Sequence, residues 1–216
     1  MNLDLFPVDP HSTLPQIIAL QDAELHYYPN FFPKQLADDY LHHFEQQLPW
    51  RQEKITMFGK HMFVPRLSAW YADNQLPYTY SGITHHGLAW TKELMLIRRQ
   101  LELAAGAEFN SVLANLYRDG RDSNGWHADD EPELGAKPVI ASVSLGEPRV
   151  FQLKHRTNKQ LKYKLLLPHG SVLIMQGETQ ANWLHQIAKS RRKLSERINL
   201  TFRWVDPLLA RQSVKR

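Results

Sequence analysis

Cysteine is absent from the 216-residue chain, which excludes disulfides, thiolate metal sites and a cysteine nucleophile together. Long apolar runs are missing too: the longest are broken by Pro168, His169 and Gly170, so no helix is expected to cross a membrane. Met1 to Phe6 hold no lysine or arginine ahead of an apolar stretch, as a secretory signal would require. The expectation is an intracellular protein, cytoplasmic or, in a eukaryote, nuclear. Nothing in the chain demands more than a monomer or an obligate protein partner.

What is present suits one globular domain. Hydrophobic residues make up 43% and charged residues 22%, enough of each for a buried core and a solvated surface. The net charge of +4 is concentrated late, in Lys189, Arg191, Arg192, Lys193, Arg197, Arg203, Arg211, Lys215 and Arg216. Such a stretch either tracks phosphates or forms a solvated face, and charge alone does not separate the two.

Pro7, Pro10 and Pro15 forbid a long helix at the start, so residues 1 to about 25 read as an extended arm. Helical spacing of Leu36, Tyr40, Leu41, Phe44 and Leu48 predicts a helix between Pro33 and Pro49. Leu94, Ile97, Leu101 and Ala104 predict a second, from about Thr91 to Ala105, stopped by Gly106. The aromatic, irregular stretch between them reads as short strands and turns. From Asn110 on, strands are expected at Val112–Arg118, 140–145, 150–155, 163–167, 171–176, 183–188 and 198–205, separated by turn signals such as Asp119-Gly120. The pattern is α+β and mainly β, a sandwich or barrel with helices on one sheet.

His127-Ala128-Asp129 follows a strand and a turn, where two side chains can face a common point. The motif alone is weak. With 11 histidines and 22 acidic residues, about one His-x-Asp/Glu pair arises by chance, and His43-Phe44-Glu45 is such a pair on a helix, its side chains pointing apart. His185, inside an alternating strand, is the best third ligand, against the alternative of a hydrogen-bonded core histidine. His61, His85, His86, His155 and His169 are rivals without a partner at useful spacing. Two imidazoles and one carboxylate suit iron(II) and leave three positions open. Zinc on the same ligands would make a hydrolase, with Asp130 or Glu131 as base.

The last strand decides between them. It places Arg197, Asn199, Thr201 and Arg203 on one face and Ile198, Leu200, Phe202 and Trp204 on the other. Two arginines about 20 Å apart along a strand have arms long enough to converge on the ends of a small dicarboxylate. Asn115 and Tyr117 also share a strand face, and both offer hydrogen bonds to a carboxylate. The alternative is an interior salt bridge to Asp or Glu. An iron site beside a dicarboxylate grip is what an iron and 2-oxoglutarate dioxygenase needs.

Six segments, P-R-L-S-A-W-Y-A-D, Y-T-Y-S-G, F-N-S-V-L-A-N-L-Y-R-D-G, G-W-H-A-D-D-E, P-V-I-A-S-V-S-L-G and R-I-N-L-T-F-R, occur in order between Val64 and Trp204. In these the chain resembles the AlkB family of nucleic-acid dealkylases, nearest its DNA-repair branch acting on double- or single-stranded substrates. The resemblance implies a double-stranded β-helix (jelly-roll) core with supporting helices over about 88–206 and an N-terminal nucleotide-recognition lid over about 50–87. It makes His127, Asp129 and His185 the Fe(II) ligands and catalytic centre. Asn115, Tyr117, Arg197, Asn199 and Arg203 become contacts of the 2-oxoglutarate co-substrate. Tyr80 matches the aromatic that stacks on the damaged base opposite His127; it replaces a phenylalanine and keeps the stacking plane. Tyr78, Ser81, Arg66, Asp130 and Glu131 match pocket positions, with a turn role as the alternative for Glu131. Phe58 falls where duplex-acting members carry a wedge.

The implied reaction is oxidative dealkylation of bases of the 1-methyladenine and 3-methylcytosine type in DNA, with RNA as a further substrate. It consumes O2 and 2-oxoglutarate and releases formaldehyde, succinate and CO2. The other classes are an RNA- or protein-directed hydroxylase and a non-catalytic nucleic-acid-binding member.

Overall fold

The computed structural model describes residues 14–57, 60–73, 77–80 and 83–213; the side chains of 55–61, 74–86 and 211–216 are outside that description. Helix α1 (Lys34–Gln47) runs between the two prolines. Helix α2 (Lys92–Ala105) starts where Thr91 Oγ1 accepts the Leu94 N–H at 3.2 Å and ends at Gly106, whose φ of 60° is the left-handed cap glycine favours. A single turn, α3 (Thr179–Asn182), a 3-10 turn over Pro132–Leu134 and a short helix, α4 (Pro207–Ser213), complete the helical part among the described residues.

The described residues also form fifteen strands. In chain order they are β1 (Gln16–Leu20), β2 (Ala23–Tyr28), β3 (Lys54–Met57), β4 (Lys60–Phe63), β5 (Leu67–Ala72), β6 (Pro77–Tyr80), β7 (Ile83–His86), β8 (Ser111–Tyr117), β9 (Asn124–His127), β10 (Ile140–Gly146), β11 (Arg149–His155), β12 (Lys162–Leu167), β13 (Ser171–Gln176), β14 (Trp183–Ile187) and β15 (Arg197–Arg203). A seven-stranded sheet has the order β1-β2-β13-β10-β15-β8-β5, and a four-stranded sheet the order β12-β11-β14-β9. Pairs β3-β4 and β6-β7 are separate hairpins. Residues 16–25, read from the sequence as part of an arm, are extended, but they pair as a hairpin and join the large sheet at β13.

Strand alternation builds the molecule's layers. On the large sheet, Val112, Ala114, Leu116, Ala141, Val143, Ile198, Leu200 and Phe202 share one core with Phe44 of α1 and Leu94, Ile97 and Leu101 of α2. The opposite face joins the small sheet in a second core holding Trp70, Tyr117, Leu173, Phe151, Leu153 and Ile187. Between the sheets, this face also carries buried Asn115, Ser142, Ser144, Arg197, Asn199, Thr201 and Arg203. Burial of so many polar groups in one layer is costly unless each has a partner. Trp204 departs from the alternation: β15 ends at Arg203, and Trp204 is 44% exposed while Val205 is buried.

Candidate metal centre and anion pocket

The β8–β9 loop aims His127. Asp122, buried beneath the loop, accepts hydrogen bonds from the Arg118 backbone N–H at 3.0 Å and from its Nε at 2.8 Å. Gly120 packs against the β14–β15 loop so closely that a Cβ would lie 2.8 Å from the carbonyl oxygens of Ser190 and Arg192, which only glycine permits. β9 then pairs with β14, setting His127 opposite His185. The two rings lie 4.2 Å apart between centroids. With Asp129 just beyond β9, the three residues offer ligand atoms all within 4.8 Å of one another, the one such group among the described residues.

Protonation suits a metal. Burial, and next the neighbouring His127, pushes the His185 imidazole down to about 3, and burial likewise lowers His127, so both rings are neutral. Burial works against ionisation of Asp129, yet the Arg203 guanidinium beside it holds its carboxyl below the usual range. Metal binding requires this set of states, two neutral imidazoles and a carboxylate. His127 Nδ1 donates to the Gly125 carbonyl at 2.8 Å, which leaves Nε2 as the ligand atom; the Asn124 amide sits 3.1 Å from it. Phe151 stacks on His185 with centroids 5.1 Å apart. The residues fit Fe(II).

Arg197 is 1% exposed; its Nη2 donates to Ser144 Oγ at 2.8 Å, and its Nε and Nη1 are buried without a partner. It has no carboxylate partner among the described residues, and desolvation lowers its guanidinium to about 10. Tyr117 lies between two guanidinium groups, 5.2 Å from Arg197 and 5.6 Å from Arg149. Arg203 does make the interior salt bridge considered above, to Asp129 Oδ1 at 2.6 Å. Asn199 donates to Ser142 Oγ and the Val143 carbonyl and accepts from Thr201, so its amide is satisfied within the sheet. Asn115 accepts from Arg66 Nε at 2.8 Å.

Arg66, Asn115, Tyr117, His127, Asp129, His185, Arg197, Asn199 and Arg203 therefore line one cavity. Asp130 is exposed and ion-paired with Arg156, and the Glu131 carbonyl accepts from Leu134 N–H in the turn that follows. Phe58 and Ser81 lie outside the described residues; for Tyr78 and Tyr80 only their places on β6 are described. His155 and His169 face Asp22 and Asp38 instead of a metal cluster. Sequence reasoning missed Gln180, whose buried Oε1 accepts the Asp129 backbone N–H at 3.0 Å. A lone glutamine in a polar turn gives no signal of that kind.

A family model described as the 2OG-Fe(II) oxygenase superfamily matches residues 24–203. Alpha-ketoglutarate-dependent dioxygenase alkB homolog 3 of Bos taurus is 41% identical over 188 residues, covering 83% of this chain and 65% of that protein. DNA oxidative demethylase ALKBH2 of Bos taurus is 36% identical over 197 residues, covering 87% of this chain and 71% of that protein. The chain thus spans just under two thirds of the length of the alkB homolog 3 it matches. A solved structure, that of OsALKBH1, shares the fold with a TM-score of 0.60 at 15% identity, covering 88% of this chain and all of that one. By the extent of the family match and by its identity to these relatives, the chain belongs to the AlkB family of 2-oxoglutarate and Fe(II) oxygenases.

Proposed function

We propose that this chain is an oxidative dealkylase of N-alkylated bases, of the 1-methyladenine and 3-methylcytosine type, in DNA and secondarily in RNA. The observation that carries the proposal is Arg197, a buried guanidinium with two unmatched donor atoms and no acidic partner among the described residues, in the cavity that also holds His127, Asp129 and His185. A cation left so incompletely matched in a low-dielectric interior calls for an anion from outside. A dicarboxylate co-substrate supplies one. Both named relatives point the same way, one as an alpha-ketoglutarate-dependent dioxygenase and the other as a DNA oxidative demethylase.

His127, Asp129 and His185 would hold Fe(II), which with 2-oxoglutarate and O2 supplies the oxidising power to turn an N-methyl group into an N-hydroxymethyl group, lost as formaldehyde, with succinate and CO2 as co-products. The chain's own residues bind and orient. Arg197, steadied against Tyr117, takes one carboxylate of the co-substrate; Asn115 and Arg203 line the path towards the metal ligands. Asn199 holds β15 to β10 through Ser142 and Val143. The sheets exclude water around Asp129 and His185, both buried. In this reading residues 50–87 form the lid, where Tyr78, Tyr80 and Ser81 receive a base removed from its stack and Phe58 occupies the gap it leaves.

The test is formaldehyde release from an oligonucleotide carrying 1-methyladenine, with Fe(II) and 2-oxoglutarate each omitted in turn. Release that depends on both and on the lesion is the expected result. Folded, metal-loaded protein that forms neither succinate nor formaldehyde would overturn the reading.

A further inference from the structure

The four-stranded sheet turns one face to the second core and the other to solvent, and the solvent face has an unusual charge. Alternation along β11, β12, β14 and β9 puts Gln152 and Lys154, Lys162 and Lys164, Leu184 and Gln186, and Trp126 outward, with the exposed pair Val150 and Leu166 at the far end of β11 and β12. Two contacts fix this assignment: Gln186 Nε2 donates to Gln152 Oε1 at 2.8 Å, and Lys154 Nζ lies 4.3 Å above the Trp126 ring. Lys154 and Lys162 are directly paired across β11 and β12, and Gln152 is paired with Lys164. These strand segments contribute no aspartate or glutamate, and none of the three lysines has an ion-pair partner among the described residues. Like charges set opposite each other on a sheet destabilise it, and a surface serving only solubility intersperses both signs.

We propose that this face is a track for the phosphate backbone of a nucleic-acid strand, leading away from the cavity of the metal-ligand cluster. The inference rests on the nucleic-acid reading above and adds where the strand runs. Trp126 is the residue before His127 and is 39% exposed, so the track starts beside the ligand strand with an aromatic surface on which any base can stack. From β9 to β12 the sheet spans about 14 Å at ~4.8 Å per strand spacing. That distance accommodates a few nucleotides of backbone, with Trp126 at one side and the three lysines on the two strands at the other. The absence of carboxylates favours a continuous polyanion over a protein surface, which would present charges of both signs.

The experiment measures oligothymidylate binding to the full chain against salt concentration, for wild type and for the triple variant Lys154→Gln, Lys162→Gln, Lys164→Gln. Three lost phosphate contacts lower the slope of log K against log salt by about 2, and weaken binding on the order of hundredfold at 0.1 M salt. A double variant at Lys162 and Lys164 alone, far from Trp126 and the ligand strand, gives an intermediate slope, and matching thermal melts show that both variants are folded. Formaldehyde release from a methylated trinucleotide, too short to follow the track, stays at the wild-type rate. An unchanged slope with wild-type binding intact overturns the track and leaves the proposed reaction standing. Equal loss of binding to polyglutamate also overturns it, because the face would then be reading bulk charge. Wild type that neither binds oligothymidylate nor releases formaldehyde defeats the nucleic-acid reading itself, and the track with it.

Discussion

Arg203 donates from Nη2 to Oδ1 of Asp129 at 2.6 Å, with both side chains buried between the two sheets. The carboxylate proposed to hold the metal is thus kept ionised by the arginine proposed to face the co-substrate. Arg203→Leu removes that compensation and strands a buried carboxylate, a change that typically costs about 3–5 kcal/mol. The expected outcome is a lower melting temperature without metal, together with weaker Mn(II) binding by calorimetry. Loss of activity with unchanged metal affinity would place Arg203 outside the control of Asp129.

Arg197 should behave in the opposite way. Its Nε and Nη1 have no partner in the buried layer, so the cation costs stability until an anion arrives. Arg197→Met is expected to leave the ligand-free melting temperature unchanged or higher, since an apolar replacement of a poorly compensated buried charge is neutral or stabilising by about 1–4 kcal/mol. The same variant should lose the rise in melting temperature that 2-oxoglutarate gives the wild type. Thermal melts with and without 2-oxoglutarate read both effects at once.

The contrast between these arginines also marks how far the sequence could be read. Alternation along β15 put both on one polar face, and the structure buries that face between the sheets. Which arginine is neutralised from within depended on Asp129, six strands' worth of chain away in sequence and adjacent only in three dimensions. Both long helices were legible from their apolar spacing and their stops. The β1–β2 hairpin was not: Ala23 to Tyr27 alternates, but over only five residues after a proline-rich start, and the partner that holds it, β13, lies far along the chain. Trp204 looked like the next inward residue of a strand that in fact stops one position earlier.

Gln180 gives a prediction that sequence reasoning had no means of making. Its Oε1 accepts the Asp129 backbone N–H, and its amide nitrogen donates to the weak acceptor Met175 Sδ at 3.5 Å. Gln180→Leu leaves the Asp129 N–H buried and unsatisfied, a cost of about 1–3 kcal/mol. Support lost from behind a metal ligand commonly weakens metal binding by roughly 10–100-fold. Gln180→Glu keeps an acceptor for that N–H and should restore the fold, but it adds a negative charge near Asp129. Mn(II) titration of the two variants separates these effects: a leucine variant with wild-type affinity would show that the hydrogen bond only closes the turn.

His185 ties stability to pH. Its imidazole is pushed down to about 3 by burial first and by His127 second. An unfolded chain returns it to its ordinary value near 6.5, so between those two values the unfolded state binds the extra proton. Stability therefore rises with pH across this window and is lost as pH falls through it, by up to about 1.4 kcal/mol per unit for one such group. His127, also lowered by burial, adds in the same direction. Metal-free protein should lose melting temperature steadily below about pH 6.5, whereas His185→Gln, with no proton to take up, should show a shallower fall. Parallel melting curves for the two proteins from pH 7 to pH 5 would mean that His185 is protonated in the folded state, which is incompatible with an imidazole poised to receive a metal.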